Sequence, residues 1–472
     1  MGTDLYVGGR WRPATAPPLV VRSPHDGSVV GEAGQATGAD VDDAVAAASA
    51  AFHDGSWSRR PVDERIAVLE ELAPRYAARA DELAALVSRE NGSPITFSQL
   101  GQVGAVAPLL EGFLHGARRV DWESAIPGML GDTRVWREPV GVVAAITAWN
   151  VPQILIVAKL VPALLAGCSV VVKPAPESPL DAMVLAELVD ELGLPEGVVS
   201  VLPGGPDVGR HLVAHPGVDK VAFTGSTAVG REIAAVCGQQ LKRTSLELGG
   251  KSAAIVLEDA DVARTAGGLR FASFMNNGQA CAAQTRVLAP RSRYDEVVEA
   301  LAEEVRTFAV GDPLDPATEI GPLVNERQQR RVEGYLALGA EEGARLVAGG
   351  APVPEGGCYV APTLFADVDN RMRIAQEEIF GPVLVVIPYE GEDDAVRLAN
   401  ESEYGLGGSV WTKDRAHGLE LARRIRTGMF GINTFGPDTS APFGGFKASG
   451  IGREYGQIGI EAFLEVKAVH GA

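Results

Sequence analysis

Val140-Gly141-Val142-Val143-Ala144-Ala145-Ile146-Thr147 begins the stretch that decides the fold, and Ser169-Val170-Val171-Val172-Lys173 repeats its character after a run of helical spacing over 151–166. Strands that are apolar on both faces and alternate with helices belong to a parallel sheet covered on two sides. The alternation continues with helices over 179–192, 207–215 and 228–237 and strands over 198–202, 218–224 and 244–248. A second alternation starts after Gly250, with strands over 252–257, 286–289, 383–387 and 408–411. Helices are predicted between them over 261–275, 294–308, 326–338, 393–402 and 415–425. The fold class is therefore α/β, with two doubly wound lobes meeting near Gly249-Gly250, and a cleft between such lobes is a natural ligand site.

Upstream, the alanine-rich segment 39–90 has apolar residues at helical spacing, punctuated by Pro61 and ended by Gly92 and Pro94, which predicts two or three helices. Between 120 and 140 the pattern turns to short β-like pieces such as Thr133-Arg134-Val135-Trp136, bounded by Pro127, Gly128 and Pro139, and a protruding hairpin is expected. The tail over 461–469 alternates in part like a strand, suited to pairing with a hairpin of a partner chain.

Several function classes are disfavoured by composition. The chain has 42 basic and 61 acidic residues among 472, a net charge of −19, which repels nucleic-acid phosphates and anionic lipid headgroups. Its most apolar region, 140–172, is interrupted by Asn150, Gln153 and Lys159 and does not read as a membrane span. The start, Met1-Gly2-Thr3-Asp4, lacks the basic and apolar sequence of a secretion signal, so a cytoplasmic setting is expected. The four cysteines, Cys168, Cys237, Cys281 and Cys358, lack close Cys or Cys/His pairing, so neither a metal site nor a disulfide frame is signalled.

One thiol stands out. Cys281 ends Asn276-Asn277-Gly278-Gln279-Ala280-Cys281, between two alanines and behind a glycine turn, and is a candidate nucleophile. Phe223-Thr224-Gly225-Ser226 joins a strand to a helix, where free amides suit a phosphate and where glycine and serine also serve packing and capping; the GxGxxG fingerprint is absent. Lys173 ends a strand and is either a solvated lysine or one that reaches a ribose or phosphate. Asn150, after Trp149, either caps the next helix or aims an amide at a developing oxyanion. Glu247 is enclosed by leucines, so its carboxylate is either paired or held near neutral pKa for acid–base work. Glu378 precedes a strand, exposed or functional.

Taken in order, Trp149-Asn150, Lys173-Pro174, Phe223-Thr224-Gly225-Ser226, Leu246-Glu247-Leu248-Gly249-Gly250, Asn277-Gly278-Gln279-Ala280-Cys281, Glu378-Ile379-Phe380-Gly381-Pro382 and Pro442-Phe443-Gly444-Gly445-Phe446-Lys447-Ala448-Ser449-Gly450 resemble the aldehyde dehydrogenase superfamily from end to end. The resemblance implies oxidation of an aldehyde to its acid with NAD, with NADP left open. Cys281 would attack the carbonyl, Asn150 would hold the alkoxide, and Glu247 would activate water against the thioester, with Lys159 and Glu454 assisting proton movement. Ile146, Trp149, Lys173, Phe223, Gly225, Ser226, Leu248, Glu378 and Phe380 would hold the cofactor.

The same resemblance implies a dinucleotide-binding domain over 1–119 and 140–249, a catalytic domain over 250–442, and an oligomerisation arm over 120–139 and 455–472 that makes a homodimer or homotetramer. Ala148 stands where relatives have proline. Pro176 stands where NAD-preferring relatives carry a glutamate, and Glu177 follows one place later. Val151, Ile154, Leu155, Ala158, Ala280, Ala282, Phe435 and Phe443 would line a roomy apolar funnel, so a medium-to-long aliphatic, terpenoid or aromatic aldehyde is expected as the small-molecule partner. Two rival readings are an enzyme that passes the acyl group to coenzyme A, which commonly lacks the glutamate present here as Glu247, and a silent structural member of the family.

Overall fold

The computed structural model describes residues 2–129, 131–436 and 438–471. Met1, Leu130, Pro437 and Ala472, which fall in the expected cofactor, arm and catalytic segments, lie outside the described residues. Arg243–Glu247, Lys220–Thr224, Val142–Ile146, Ser169–Lys173 and Val199–Val201 pair in that order as the parallel centre of an eight-stranded sheet. Every residue of the three middle strands is buried, which is why these runs show no polar alternation. The helix Pro152–Ala166 begins on a proline, whose missing N–H costs nothing at that position, and stops at Gly167 with φ 98°.

Antiparallel strands close both edges of this sheet. Asp4–Val7 and Arg10–Pro13 lie beyond Val199–Val201, and Gly450–Ile451 lies against Arg243–Glu247. That last pairing matters for the site, because it returns the C-terminal segment, with Glu454, to the end of the strand that carries Glu247.

The second sheet has seven strands in the order Arg345–Ala348, Thr363–Ala366, Val383–Tyr389, Arg286–Pro290, Ala253–Val256, Gly408–Trp411 and Gly431–Ile432. All its pairings are parallel except that of Arg345–Ala348 with Thr363–Ala366. The expected α/β architecture with two wound sheets is what the chain adopts. A smaller antiparallel sheet joins Glu123–Gly128, Gly131–Pro139 and Leu464–His470.

The structure adds three details to the sequence reading. The tail pairs along one edge with its own chain's hairpin, Leu464 opposite Pro139 through His470 opposite Thr133. Residues Gly456–Glu461, expected in the arm, form a helix packed on Val106–Ala117. Segment 39–90 contains four helices, Gly38–Asp54, Val62–Glu70, Leu72–Ala78 and Ala80–Asn91, because Glu71 and Arg79 break the long pattern into short turns. No helix of the described residues is long and apolar enough to cross a membrane.

Arg286, at the start of its strand, is fully buried and donates to the carbonyls of Lys251, Leu398 and Ala399 and to Asn370 Oδ1. Removing the guanidinium orphans several buried acceptors, at about 1–3 kcal/mol each. Arg286→Met is therefore expected to lower the denaturant midpoint well below that of the wild type in equilibrium unfolding; coincident curves would show that these bonds contribute nothing.

Candidate active site

A cavity of about 540 Å³ opens between the two wound sheets, with Cys281, Asn150, Trp149, Gly225, Ser226, Leu248, Glu378 and Phe380 all on its wall. A wider recess of about 630 Å³ elsewhere on the second lobe is lined by residues such as Asp369 and Arg397 and includes none of the candidate residues.

The thiol loop is built by side-chain amides. Asn276 and Asn277 take left-handed backbone angles, φ 53° and 60°, which asparagine tolerates better than other side chains. Asn276 Nδ2 donates to Asn150 O at 2.8 Å and to Gln279 O at 3.2 Å, while Asn150 Nδ2 donates to the same Gln279 O at 3.1 Å. Asn277 Nδ2 donates to Gly92 O and Pro322 O, both at 2.9 Å, and its Oδ1 accepts from Gly321 N. Asn91 Nδ2 donates to Trp149 O at 3.1 Å. The loop carrying Cys281 and the loop carrying Asn150 are thus tied to each other. Asn150 is not the helix cap; Val151 holds that place without a side-chain bond.

Burial dominates the electrostatics. Cys281 is partly exposed as a residue, yet its sulfur is desolvated, and that burial followed by the charges of Glu378 and Glu247 pushes the thiol up to about 12. Glu247 is 3% exposed and neither carboxylate oxygen has a hydrogen-bond partner. Burial, then Glu454, raises its proton affinity well above the ordinary carboxylate range, while Lys159 and Arg453 oppose the shift. A Cβ on Gly444 would sit 2.6 Å from Glu247 Oε1, so glycine is needed where the carboxylate lies against the chain. Lys159 is fully buried in its helix and donates to Glu454 Oε1 at 2.7 Å and Thr224 Oγ1 at 2.6 Å. This buried ion pair lies beside Glu247, since Thr224 and Glu247 are opposite in the sheet.

On the opposite wall, Glu378 Oε1 accepts from Gly250 N at 2.9 Å, and burial pushes its carboxyl up to about 7. Trp149 and Phe380 meet edge to face with centroids 5.4 Å apart. Ser226 caps the helix Thr227–Gln240 by accepting from Val229 N, and the amide end of that helix faces the cavity. Phe223 and Ile146 are buried behind the wall as core residues. Lys173 is buried, with Nζ donating to Pro174 O at 2.8 Å, and is not on the cavity wall.

Of the expected substrate-lining residues, Leu155 is on the cavity wall. Ile154, Ala158, Ala282, Phe435 and Phe443 are not on that wall: they belong to or pack against the large apolar core, Ala158 only 1% exposed, and Phe435 lines a separate recess with Met429, Phe430 and Pro442. Val151 and Ala280 are partly buried beside Asn150 and Cys281 in the chain.

Sequence reasoning missed Arg327, Gln328 and Arg331, which close the cavity from the helix Glu326–Glu341. Gln328 donates to Phe380 O and Arg331 to Glu378 O, so they hold the Glu378–Phe380 segment in place. Polar residues on a surface helix carry no local signal of such a duty. Among the described residues no group of three or more His, Cys, Asp or Glu is arranged to hold a metal ion.

The model of the aldehyde dehydrogenase family matches residues 11–469. The chain belongs to the aldehyde dehydrogenase family. Geranial dehydrogenase of Castellaniella defragrans is 48% identical over 468 residues, covering 99% of this chain and 98% of that one. The 3-succinoylsemialdehyde-pyridine dehydrogenase of a Pseudomonas species is 43% identical, with 99% and 98% covered. Among solved structures, a Mycobacterium tuberculosis aldehyde dehydrogenase complexed with NAD+ superposes with a TM-score of 0.98 at 50% identity, covering 100% of this chain and 98% of that one. A mutant of aldehyde dehydrogenase C from Pseudomonas syringae, complexed with NAD+ and octanal, gives a TM-score of 0.95 at 41% identity, with 99% and 96% covered. This aldehyde dehydrogenase is thus an enzyme that oxidises aldehydes.

A thiol with its pKa pushed up to about 12 is almost wholly protonated at neutral pH in the free enzyme. Alkylation of Cys281 by iodoacetamide, followed by peptide mass spectrometry, should therefore accelerate about tenfold per pH unit between pH 7 and 10 without levelling off. A plateau below pH 9 would show that the free thiol is already activated.

Proposed function

We propose that the chain is an NAD+-dependent, hydrolytic aldehyde dehydrogenase acting on medium-to-long aliphatic, terpenoid or aromatic aldehydes. The observation that carries this reading is the shared placement of Cys281, Asn150 and Glu378 on one cavity wall, with the desolvated Glu247 adjoining Leu248 of the same wall.

The residues present fit a dinucleotide. A 14-residue helix points its free amides at the cavity through Gly225 and Ser226, suited to phosphate, and the buried Glu378 carboxylate is an acceptor for ribose hydroxyls. Trp149 and Phe380 give the nicotinamide an aromatic border. NAD(P)+ bound there supplies the acceptor for the hydride that leaves the aldehyde carbon. The NAD+ complexes of the mycobacterial and Pseudomonas relatives support NAD+ as the first choice. Pro176 leaves NADP+ as the comparison to run.

The chain's own groups account for the rest. The Cys281 thiol releases its proton to solvent in the cavity, its thiolate sulfur adds to the carbonyl carbon, and the Asn150 amide donates to the oxygen as it gains charge. After hydride loss a thioester remains on Cys281. Glu247 takes a proton from water as that water adds to the thioester carbon, and the C–S bond breaks to release acid and thiolate. Burial, which raises its proton affinity, makes it a stronger base than an ordinary carboxylate. Lys159 and Glu454 form the buried pair through which that proton is passed on. Leu155 on the cavity wall favours an apolar substrate, in keeping with the geranial and octanal named for the two relatives. The arm sheet exposes Ile126 and Val466, at 55% and 67%, and we assign to it self-association as a homodimer or homotetramer.

Glu247→Gln should retain a first-turnover burst of NADH in stopped flow and lose most steady turnover; loss of the burst would reassign Glu247 to thiol activation. Asn150→Ala should lower kcat by about 10²–10³ through loss of one oxyanion donor. An unchanged kcat would remove that role. In a panel run with NAD+ and NADP+, octanal, geranial and benzaldehyde should exceed acetaldehyde and succinate semialdehyde in kcat/KM, and the opposite order would end the substrate assignment.

A further inference from the structure

The amide of Asn150 can serve an oxyanion only with its nitrogen turned to the substrate, because the amide oxygen in that place would repel the developing charge. One main-chain carbonyl makes the choice. Asn150 Nδ2 donates to Gln279 O at 3.1 Å, a contact the amide oxygen could not make without repulsion, and its second hydrogen has no partner among the described residues. Asn150 is 4% exposed and lies on the wall of the Cys281 cavity, so the second hydrogen is the one left for a bound carbonyl.

The position of Gln279 O is therefore decisive, and Asn276 fixes it. Asn276 Nδ2 donates to Asn150 O at 2.8 Å and to Gln279 O at 3.2 Å, so one side-chain amide grips both ends of the contact between Asn150 and Gln279. Asn150 O also receives Asn91 Nδ2, at a longer 3.4 Å, but Gln279 O has no donor besides Asn276 and Asn150 among the described residues. The neighbouring Asn277 gives the contrast. It uses nitrogen and oxygen alike, on Gly92 O, Pro322 O and Gly321 N, as an anchor in a packed turn does. Asn276 is as deeply buried, yet its Oδ1 has no partner. A buried carbonyl left unpaired is costly, and the backbone is held at φ 53° besides, so the placement serves the nitrogen end.

We propose that Asn276 is the positioning residue of the oxyanion donor: by holding Asn150 O and Gln279 O together, it keeps the Asn150 amide in the one orientation that offers N–H to the substrate oxygen. This rests on the oxyanion role assigned to Asn150 above. Asn276 is not on the cavity wall and acts through Asn150. As the carbonyl oxygen gains charge, Asn150 meets it with its free hydrogen while the other stays on Gln279 O, so no bond of the loop has to break. Without the Asn276 amide, Gln279 O is free to shift and the Asn150 amide to turn over.

The test is a double-mutant cycle on the first turnover. Wild type, Asn276→Gly, Asn150→Ala and the double variant are mixed with NAD+ and octanal in stopped flow, and the rate constant of first-turnover NADH formation is measured at saturating octanal. Glycine adopts a positive φ freely, so Asn276→Gly removes the amide and leaves the turn. Asn276→Asp, which keeps the shape without the two N–H donors, repeats the cycle where the glycine variant does not fold. Asn276→Gly is expected to slow the first turnover at least tenfold, with the NAD+ dissociation constant and the half-saturating octanal concentration within twofold of wild type. Added to Asn150→Ala, the same substitution is expected to cost less than a further twofold. An unchanged first turnover would overturn the proposal. So would a loss as large in the Asn150→Ala background as in wild type, because that effect would come from loop packing and not through the Asn150 amide. If Asn150→Ala alone turns over at the wild-type rate, the oxyanion reading falls and the proposal with it.

Discussion

The arrangement depends on a lattice of side-chain amides that binds two loops from different lobes. Asn150 and Gln279 are joined directly, Asn276 bridges both, and Asn277 and Asn91 anchor the assembly to Gly92, Pro322 and Trp149. Each bond alone is modest, about 1 kcal/mol net, but the alternative is a set of buried carbonyls and amides without partners. The left-handed turn at Asn276 and Asn277 is held only because these bonds over-determine it. Thiol and amide then face one cavity as a consequence of backbone geometry, independent of any ligand.

The second element of the design is withheld solvation. Glu247, Glu378 and Cys281 are all pushed toward their neutral forms by burial, and in the proposed reaction each works in its charged form once a substrate or cofactor is present. The Lys159–Glu454 pair is the exception, since its partners neutralise one another at 2.7 Å inside the core. A buried pair of this kind contributes little to stability, and its position beside Glu247 suits the proton path proposed above.

The buried parallel strands of both sheets were legible because continuous apolar runs between helices have few other interpretations. Cys281, Asn150 and Glu247 were legible as chemistry in an odd setting, and the family resemblance gave their grouping. The strands Asp4–Val7, Arg10–Pro13, Arg345–Ala348 and Thr363–Ala366 went unseen because short strands at or near a sheet edge leave little periodic signal. The tail's own-chain pairing could not be told from pairing with a partner, since alternation specifies a strand and not its neighbour. Arg327, Gln328 and Arg331 escaped for a related reason: their duties come from what tertiary structure sets opposite them.

The central claim is that catalysis runs through a covalent acyl group on Cys281 that awaits water. Intact-protein and peptide mass spectrometry of the Glu247→Gln enzyme quenched after mixing with NAD+ and octanal tests it directly. The account predicts close to one octanoyl group per chain, attached at Cys281 and absent when NAD+ is omitted. An unmodified Cys281 despite NADH formation, or an acyl group on Cys168, Cys237 or Cys358, would contradict it.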